Sequence, residues 1–178
     1  MKRIYLDYAA STPVDRRVQE AMAPYFDKVF ANPHSLHQSG QEASRAVFEA
    51  RRKIAQSLGA DYKQIAFTGS ATEANCLALR GVVRAIQMGH SDYVPRVITS
   101  AIEHESILEA CRDLERDGVE VIYLPVSRDG LVDLKKLKAA LNDRTILVSV
   151  MHANNEIGTV QPITEISTII KNWKLKIK

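Results

Sequence analysis

Four short stretches of this chain carry the residue types that could do chemistry. In Phe67-Thr68-Gly69-Ser70-Ala71-Thr72-Glu73-Ala74-Asn75, the strand-like Ile65 to Thr68 passes through small residues into a helical pattern. Unpaired backbone N–H groups and the positive end of the dipole make such a helix start suited to an anion, a phosphate above all. A plain cap by Ser70 or Thr72, with Glu73 in the first turn, fits the same residues. The stretch lacks the glycine count and lysine of a P-loop, so spacing leaves both readings open. Ala101-Ile102-Glu103-His104 places an acid beside an imidazole. It is either a solvated turn or, next to a ligand, a ring that stacks on a planar group or shuttles protons near neutral pH. His152-Ala153-Asn154-Asn155-Glu156-Ile157-Gly158 sets two amides before a glycine. They either offer fixed donors to phenolate or carboxylate oxygens or only shape the loop through Asx turns. Asn32-Pro33-His34-Ser35-Leu36-His37 holds two histidines with no third ligand close by, so no metal is expected there.

The elements that must position these groups follow from hydrophobic periodicity. The first 45 or so residues are irregular, with a short strand expected at Ile4 to Leu6, a turn at Thr12-Pro13 and a helix from Asp15 to Phe26. From Gln41 to Leu58, the apolar residues Ala43, Val47, Ala50, Ile54 and Leu58 recur at helical steps, closed by Gly59. Strand-like and helical segments then alternate. Ile65 to Thr68 precedes a helix near Thr72 to Met88, Val97 to Thr99 one near Ser106 to Arg116, Val119 to Leu124 one at Leu134 to Leu141, and Ile146 to Met151 one at Ile163 to Trp173. This is the pattern of an α/β fold with a mostly parallel sheet and helices on both faces, where ligands gather at the carboxyl ends of the strands. Leu175 and Ile177 begin an alternation that could enter a fifth strand.

Composition narrows the function classes. Of 178 residues, 46% are hydrophobic and 25% charged, ordinary for one globular core, and the net charge of +3 is spread among 21 acidic residues without a basic block. Nucleic acid is not an expected partner. No apolar run approaches the about 20 residues of a membrane span, and Met1-Lys2-Arg3 runs straight into Ile4-Tyr5-Leu6 without a signal-peptide core. Cys76 and Cys111 belong to no Cys-x-x-Cys pair and read as reduced, partly buried thiols on helices, consistent with a cytoplasmic location.

Taken together, Tyr5-Leu6-Asp7-Tyr8-Ala9-Ala10-Ser11-Thr12-Pro13, Asn32 to His37 with Gly40, Phe67 to Glu73, Glu103-His104 and His152 to Gly158 resemble the cysteine desulfurases. These are pyridoxal phosphate (PLP) enzymes of the class V aminotransferase group, and the resemblance runs in order along essentially the whole chain. Asn154-Asn155-Glu156-Ile157-Gly158 is similar to the type that feeds iron–sulfur cluster assembly. The resemblance implies a PLP-dependent, aspartate-aminotransferase-type large domain, with residues 1–15 as an N-terminal arm or small-domain segment and 16–178 as the N-terminal half of the large domain. It implies that Ala71 and Thr72 hold the cofactor phosphate, that His104 stacks on the pyridine ring and assists proton transfer as the catalytic residue, and that Asn155 faces the ring hydroxyl and helps position the substrate carboxylate. Gly69-Ser70 stands where Ser-Gly is more common, and Cys76 where Asn is frequent.

The implied activity converts L-cysteine to L-alanine, with the sulfur held as an enzyme persulfide and passed to a scaffold or acceptor protein, in a homodimer. Four parts of that machinery have no counterpart here: the Asp that pairs with the pyridine nitrogen, the Gln beside the ring, the Ser-x-His-Lys lysine that bonds the cofactor, and the nucleophilic Cys. Lys171, Lys174, Lys176 and Lys178 sit in a solvated-looking helix end, and neither Cys76 nor Cys111 matches the nucleophile's setting. The chain therefore reads as a truncated, N-terminal portion, inactive alone, aggregation-prone and binding PLP weakly or not at all. The strand at Ile65 to Thr68 is expected to lack its neighbour. The alternatives are a non-catalytic binding or assembly module, or half of a split PLP enzyme completed by a second chain; another class V enzyme is disfavoured by Asn154-Asn155-Glu156.

Overall fold

A computed structural model describes residues 3–89 and 93–174. The chain forms two compact units, Met1–Phe67 and Thr68–Lys178.

In the first unit, α1 (Arg16–Met22) starts at Asp15, whose carboxylate accepts the Arg17 N–H at 2.8 Å. The single helix expected from Asp15 to Phe26 is instead two. Pro24 has no N–H to continue the ladder, and it opens the separate short α2 (Pro24–Asp27). α3 (Gln38–Leu58) begins three residues before the Gln41 expected from periodicity, because His37 caps it: Nδ1 accepts the Gly40 N–H at 3.3 Å. It ends, as expected, at Gly59 in the left-handed region, φ 63°. Gly40 is required by packing: a Cβ there would lie 2.3 Å from the Ser35 carbonyl oxygen, so the 32–37 loop folds onto the helix only over a glycine.

Two expected strands are absent. Residues 3–7 pair with no strand, so Ile4 to Leu6 is irregular. Ile65 is extended (φ −93°, ψ 120°), yet Ile65 to Thr68 lies in no sheet. A β conformation needs a neighbouring chain to take its N–H and C=O groups. Here the Ile65 carbonyl accepts from Arg51 of α3 instead, and the Arg51 guanidinium carbon sits 4.8 Å from the Phe67 ring centroid.

The second unit carries the expected parallel sheet. Its strands are β1 (Arg96–Ser100), β2 (Glu120–Leu124) and β3 (Thr145–Ser149), in the order β2-β1-β3 with both pairings parallel. Alternation along β1 separates the two faces. Val97 packs with Leu79 and Val83 of α4 (Ala71–Gln87) and with Ile107, Ala110, Cys111 and Leu114 of α5 (Glu105–Arg116). Ile98, its neighbour in sequence, packs with Leu137 of α6 (Leu134–Ala140) and Ile166 of α7 (Ile163–Lys174). Val97 and Ile98 are both fully buried, each stabilising the fold by about 1.5–3 kcal/mol. Both cysteines are unpaired and lie on helices as expected, Cys111 buried and Cys76 partly buried at the edge of the same cluster. Burial, with help from the charges of Glu115 and Glu103, pushes the Cys111 thiol up to about 11. The alternation at Leu175 and Ile177 lies outside the described residues.

Candidate active site

The start of α4 is held by a reciprocal pair of side chains. Ser70, extended at the N-cap, accepts the Glu73 N–H on Oγ at 3.1 Å, and Glu73 reaches back to accept the Gly69 N–H at 2.7 Å. Thr68 Oγ1 adds a bond to the Ser70 carbonyl at 2.9 Å. Ser70 is thus the cap that the sequence left open between Ser70 and Thr72. This capping uses one of the helix's first N–H groups, and those of Ala71 and Thr72 find no acceptor among the described residues. Two adjacent unpaired N–H groups on an exposed helix start, approached over a glycine, are a donor set that a phosphate can occupy.

Glu103 and His104 follow β1 but have different surroundings. The expected solvated turn holds only for His104, which is exposed. Glu103 is 7% exposed, and its Oε1 accepts from Ser100 Oγ at 2.6 Å and from the Met151 N–H at 2.8 Å. It ties the end of β1 to the segment leaving β3, one carboxyl oxygen accepting from two donors in a nearly dry setting. His104 is the N-cap of α5: Nδ1 accepts the Ser106 N–H at 3.1 Å and lies 2.8 Å from Ser106 Oγ. Asn75 of α4 donates to that same hydroxyl at 2.9 Å, joining the start of α4 to the start of α5.

The loop after β3 splits its two asparagines between tasks. Asn154 is buried. Its Oδ1 accepts the Glu156 and Ile157 N–H groups at 2.8 and 3.0 Å, and its Nδ2 donates to the Ile102 carbonyl at 2.9 Å. That is the Asx-turn reading. Asn155 stays exposed, with its Nδ2 bonded to Glu156 Oε1 at 3.3 Å. Gln161 completes the loop: it is 3% exposed, donates to the Gly130 carbonyl at 2.6 Å and accepts the Val132 N–H at 3.0 Å. Gly130 has φ 78°, and a Cβ there would meet Ile157 Cδ1 at 2.6 Å.

Three of the sequence-derived segments are therefore linked at one end of the sheet: α4 to α5 through Asn75 and Ser106, and the 152–158 loop to the end of β1 through Asn154 and Glu103. The fourth, around His34 and His37, belongs to the other unit, where His37 caps α3. Ser106, Gln161 and the burial of Glu103 were not legible as site features. The partners that decide them, Asn75 for Ser106 and Met151 for Glu103, are distant in sequence, and Gln161 carried no local signal. Among the described residues no three His, Cys, Asp or Glu side chains cluster as metal ligands.

A parallel sheet with helices packed on it, and helix N-termini and polar loops at its carboxyl ends, defines an α/β domain, the class in which ligands gather at that end. The class-V aminotransferase family matches residues 4–177, and the chain belongs to it. The resemblance to cysteine desulfurases is borne out within that family. The chain is 49% identical over 176 residues to cysteine desulfurase IscS of Dictyoglomus turgidum, covering 98% of this chain and 44% of that protein. A solved NifS-like protein superposes with a TM-score of 0.89 at 37% identity, covering 96% of this chain and 46% of that one. A structure described as SspA in complex with cysteine gives 0.85 at 38%, covering 96% and 48%. The chain thus spans less than half the length of the relatives it matches. The family is PLP-dependent.

Proposed function

We propose that this chain supplies the phosphate-holding and ring-facing part of a PLP-dependent cysteine desulfurase. The complete enzyme takes sulfur from L-cysteine, releases L-alanine and hands the sulfur to an iron–sulfur scaffold or other acceptor protein. The observation that carries this reading is the start of α4, where Ser70 and Glu73 cap each other and leave the Ala71 and Thr72 N–H groups unpaired. Those two groups would hold the cofactor phosphate at the positive end of the helix dipole. When bound, the cofactor supplies an electron sink for negative charge developing at the substrate α-carbon. His104, capped onto α5 through Nδ1, would stack on the cofactor ring and use its other nitrogen to hold or move a proton. Asn155, on a loop fixed by Asn154 and Gln161, would face the ring hydroxyl and orient the substrate carboxylate.

The residues expected to bond the cofactor and to attack the substrate sulfur have no counterpart among these 178, so the chain by itself is expected not to turn over. Residues 16–178 would be the N-terminal half of the PLP-binding domain, completed by further sequence or by a second chain in a cytoplasmic homodimer. No described helix is long and apolar enough to cross a membrane.

The test has two stages. The purified chain is incubated with PLP, gel-filtered and scanned for a bound chromophore; a colourless protein is expected, and a yellow one that survives dialysis would overturn the inactive-alone reading. The chain is then co-expressed with the C-terminal remainder of the Dictyoglomus turgidum relative. Retained PLP and L-alanine release from L-cysteine, lost in His104→Gln, are the expected result. A stable complex that holds no PLP would overturn the functional proposal.

A further inference from the structure

We propose that Asn75 and Ser106 are positioning residues for His104. Together they hold the imidazole with Nδ1 as an acceptor, so that the neutral ring carries its proton on Nε2. The inference rests on the reading of His104 as the proton-handling group, which it deepens by saying which nitrogen faces the reaction and what fixes it.

The geometry gives the direction of every bond. A backbone N–H can only donate, and the Ser106 N–H lies 3.1 Å from His104 Nδ1, so Nδ1 is unprotonated. Ser106 Oγ lies 2.8 Å from the same nitrogen. A hydroxyl has one proton to give, and its oxygen is already an acceptor for the Asn75 amide at 2.9 Å. With Nδ1 unprotonated, the 2.8 Å contact needs the hydroxyl as its donor, so the hydroxyl proton points at Nδ1. Asn75 N–H, Ser106 O–H and His104 Nδ1 then form a one-way relay from α4 to α5, in which each donor meets an acceptor.

The tautomer of a histidine is set by the bond its inner nitrogen makes, and here that bond comes from two donors. With Nδ1 engaged, Nε2 is the position where a proton can be delivered or collected. The relay starts one helical turn beyond Thr72, on the helix whose first N–H groups would hold the phosphate. The ring and the phosphate site are thereby referred to the same helix.

The test reads the ring nitrogens directly, with no cofactor present. Histidine labelled with ¹⁵N is incorporated into this chain only, alone or with the unlabelled C-terminal complement. Long-range ¹H–¹⁵N spectra are recorded at a pH where imidazoles are neutral, and His104 is assigned by its disappearance in His104→Gln. The expected pattern is a pyridine-type Nδ1 and a pyrrole-type Nε2. Ser106→Ala removes the hydroxyl but keeps the backbone donor, so Nδ1 should move part of the way towards the averaged position of free imidazole, and Ser106→Thr should restore it. Asn75→Asp should move it at least as far, because a carboxylate accepts the hydroxyl's hydrogen bond and turns its oxygen, now an acceptor, towards Nδ1 against the single backbone donor. A protonated Nδ1 or an averaged ring in the unsubstituted chain would overturn the proposal, as would spectra that do not change in Ser106→Ala and Asn75→Asp. The unsubstituted spectrum decides the tautomer even where a variant does not fold. A fixed tautomer in a complex that holds no PLP would keep the relay and remove the enzymatic reading.

Discussion

Residues 69–73 and 151–161 each lead into a helix, α4 and α7, but the side chains that shape them sit in different surroundings. The first is held at the surface by Ser70 and Glu73, the second by the buried Glu103, Asn154 and Gln161. A surface cap competes with water at every bond, so it fixes the local backbone with about 1 kcal/mol. A buried polar side chain has no water to fall back on, and losing its partner costs the whole desolvation of the group left behind. The loop bearing Asn155 is accordingly pre-shaped by its own chain, while the α4 start is shaped only as far as its first turn. What remains open there, the two N–H groups of Ala71 and Thr72, is what a ligand would fill.

Removing a buried anchor should therefore hurt far more than removing the surface cap. The largest effect is expected for Glu103→Ala, which strips the acceptor from Ser100 Oγ and the Met151 N–H and should lower stability by about 3 kcal/mol. Urea unfolding monitored by circular dichroism measures it, and a loss no greater than that of Ser70→Ala would erase the contrast. Gly130→Ala adds a left-handed conformation penalty and a clash with Ile157, and should cost about 2 kcal/mol by the same assay. A midpoint equal to that of the unsubstituted chain would mean the 152–158 loop gives way freely. Ser70→Ala should cost about 1 kcal/mol, with faster amide exchange confined to the first turn of α4.

The effect that is smallest at neutral pH, and grows only in alkali, contrasts α4 with α5 through their cysteines. Cys111 is buried and its thiol pushed up to about 11, whereas Cys76 is partly exposed, so a disulfide-exchange reagent near pH 8 should modify Cys76 first. Because the folded state holds the Cys111 proton more tightly than the unfolded one, stability should fall as pH rises through the interval from the ordinary thiol range towards about 11. Cys111→Ala should remove that part of the decline, and an unchanged pH profile in the variant would place its cause elsewhere.

Local chemistry carried most of the secondary structure. Apolar periodicity located all three strands of the sheet and the helices over 38–58, 71–87, 105–116, 134–140 and 163–174, within a few residues. Gly59 marked a helix end because only a residue without Cβ enters the left-handed region cheaply. The motifs at 67–75, 103–104 and 152–158 were legible as well, since small residues, amides and an imidazole at strand ends announce themselves by type. The strand pattern at Ile65 to Thr68 stayed outside the sheet, in line with the neighbour it was expected to lack, because periodicity reports what a segment can do, whereas a strand exists only beside another strand. Only the tertiary structure separated Glu103 from His104 and Asn154 from Asn155. Burial depends on what packs over a residue, and the partners that decided it lie far along the chain: Met151 is 48 residues from Glu103, and Ile102 is 52 from Asn154. Neighbouring polar side chains thus ended with different tasks, because a residue's type is written in the sequence and only folding decides whether water can reach it.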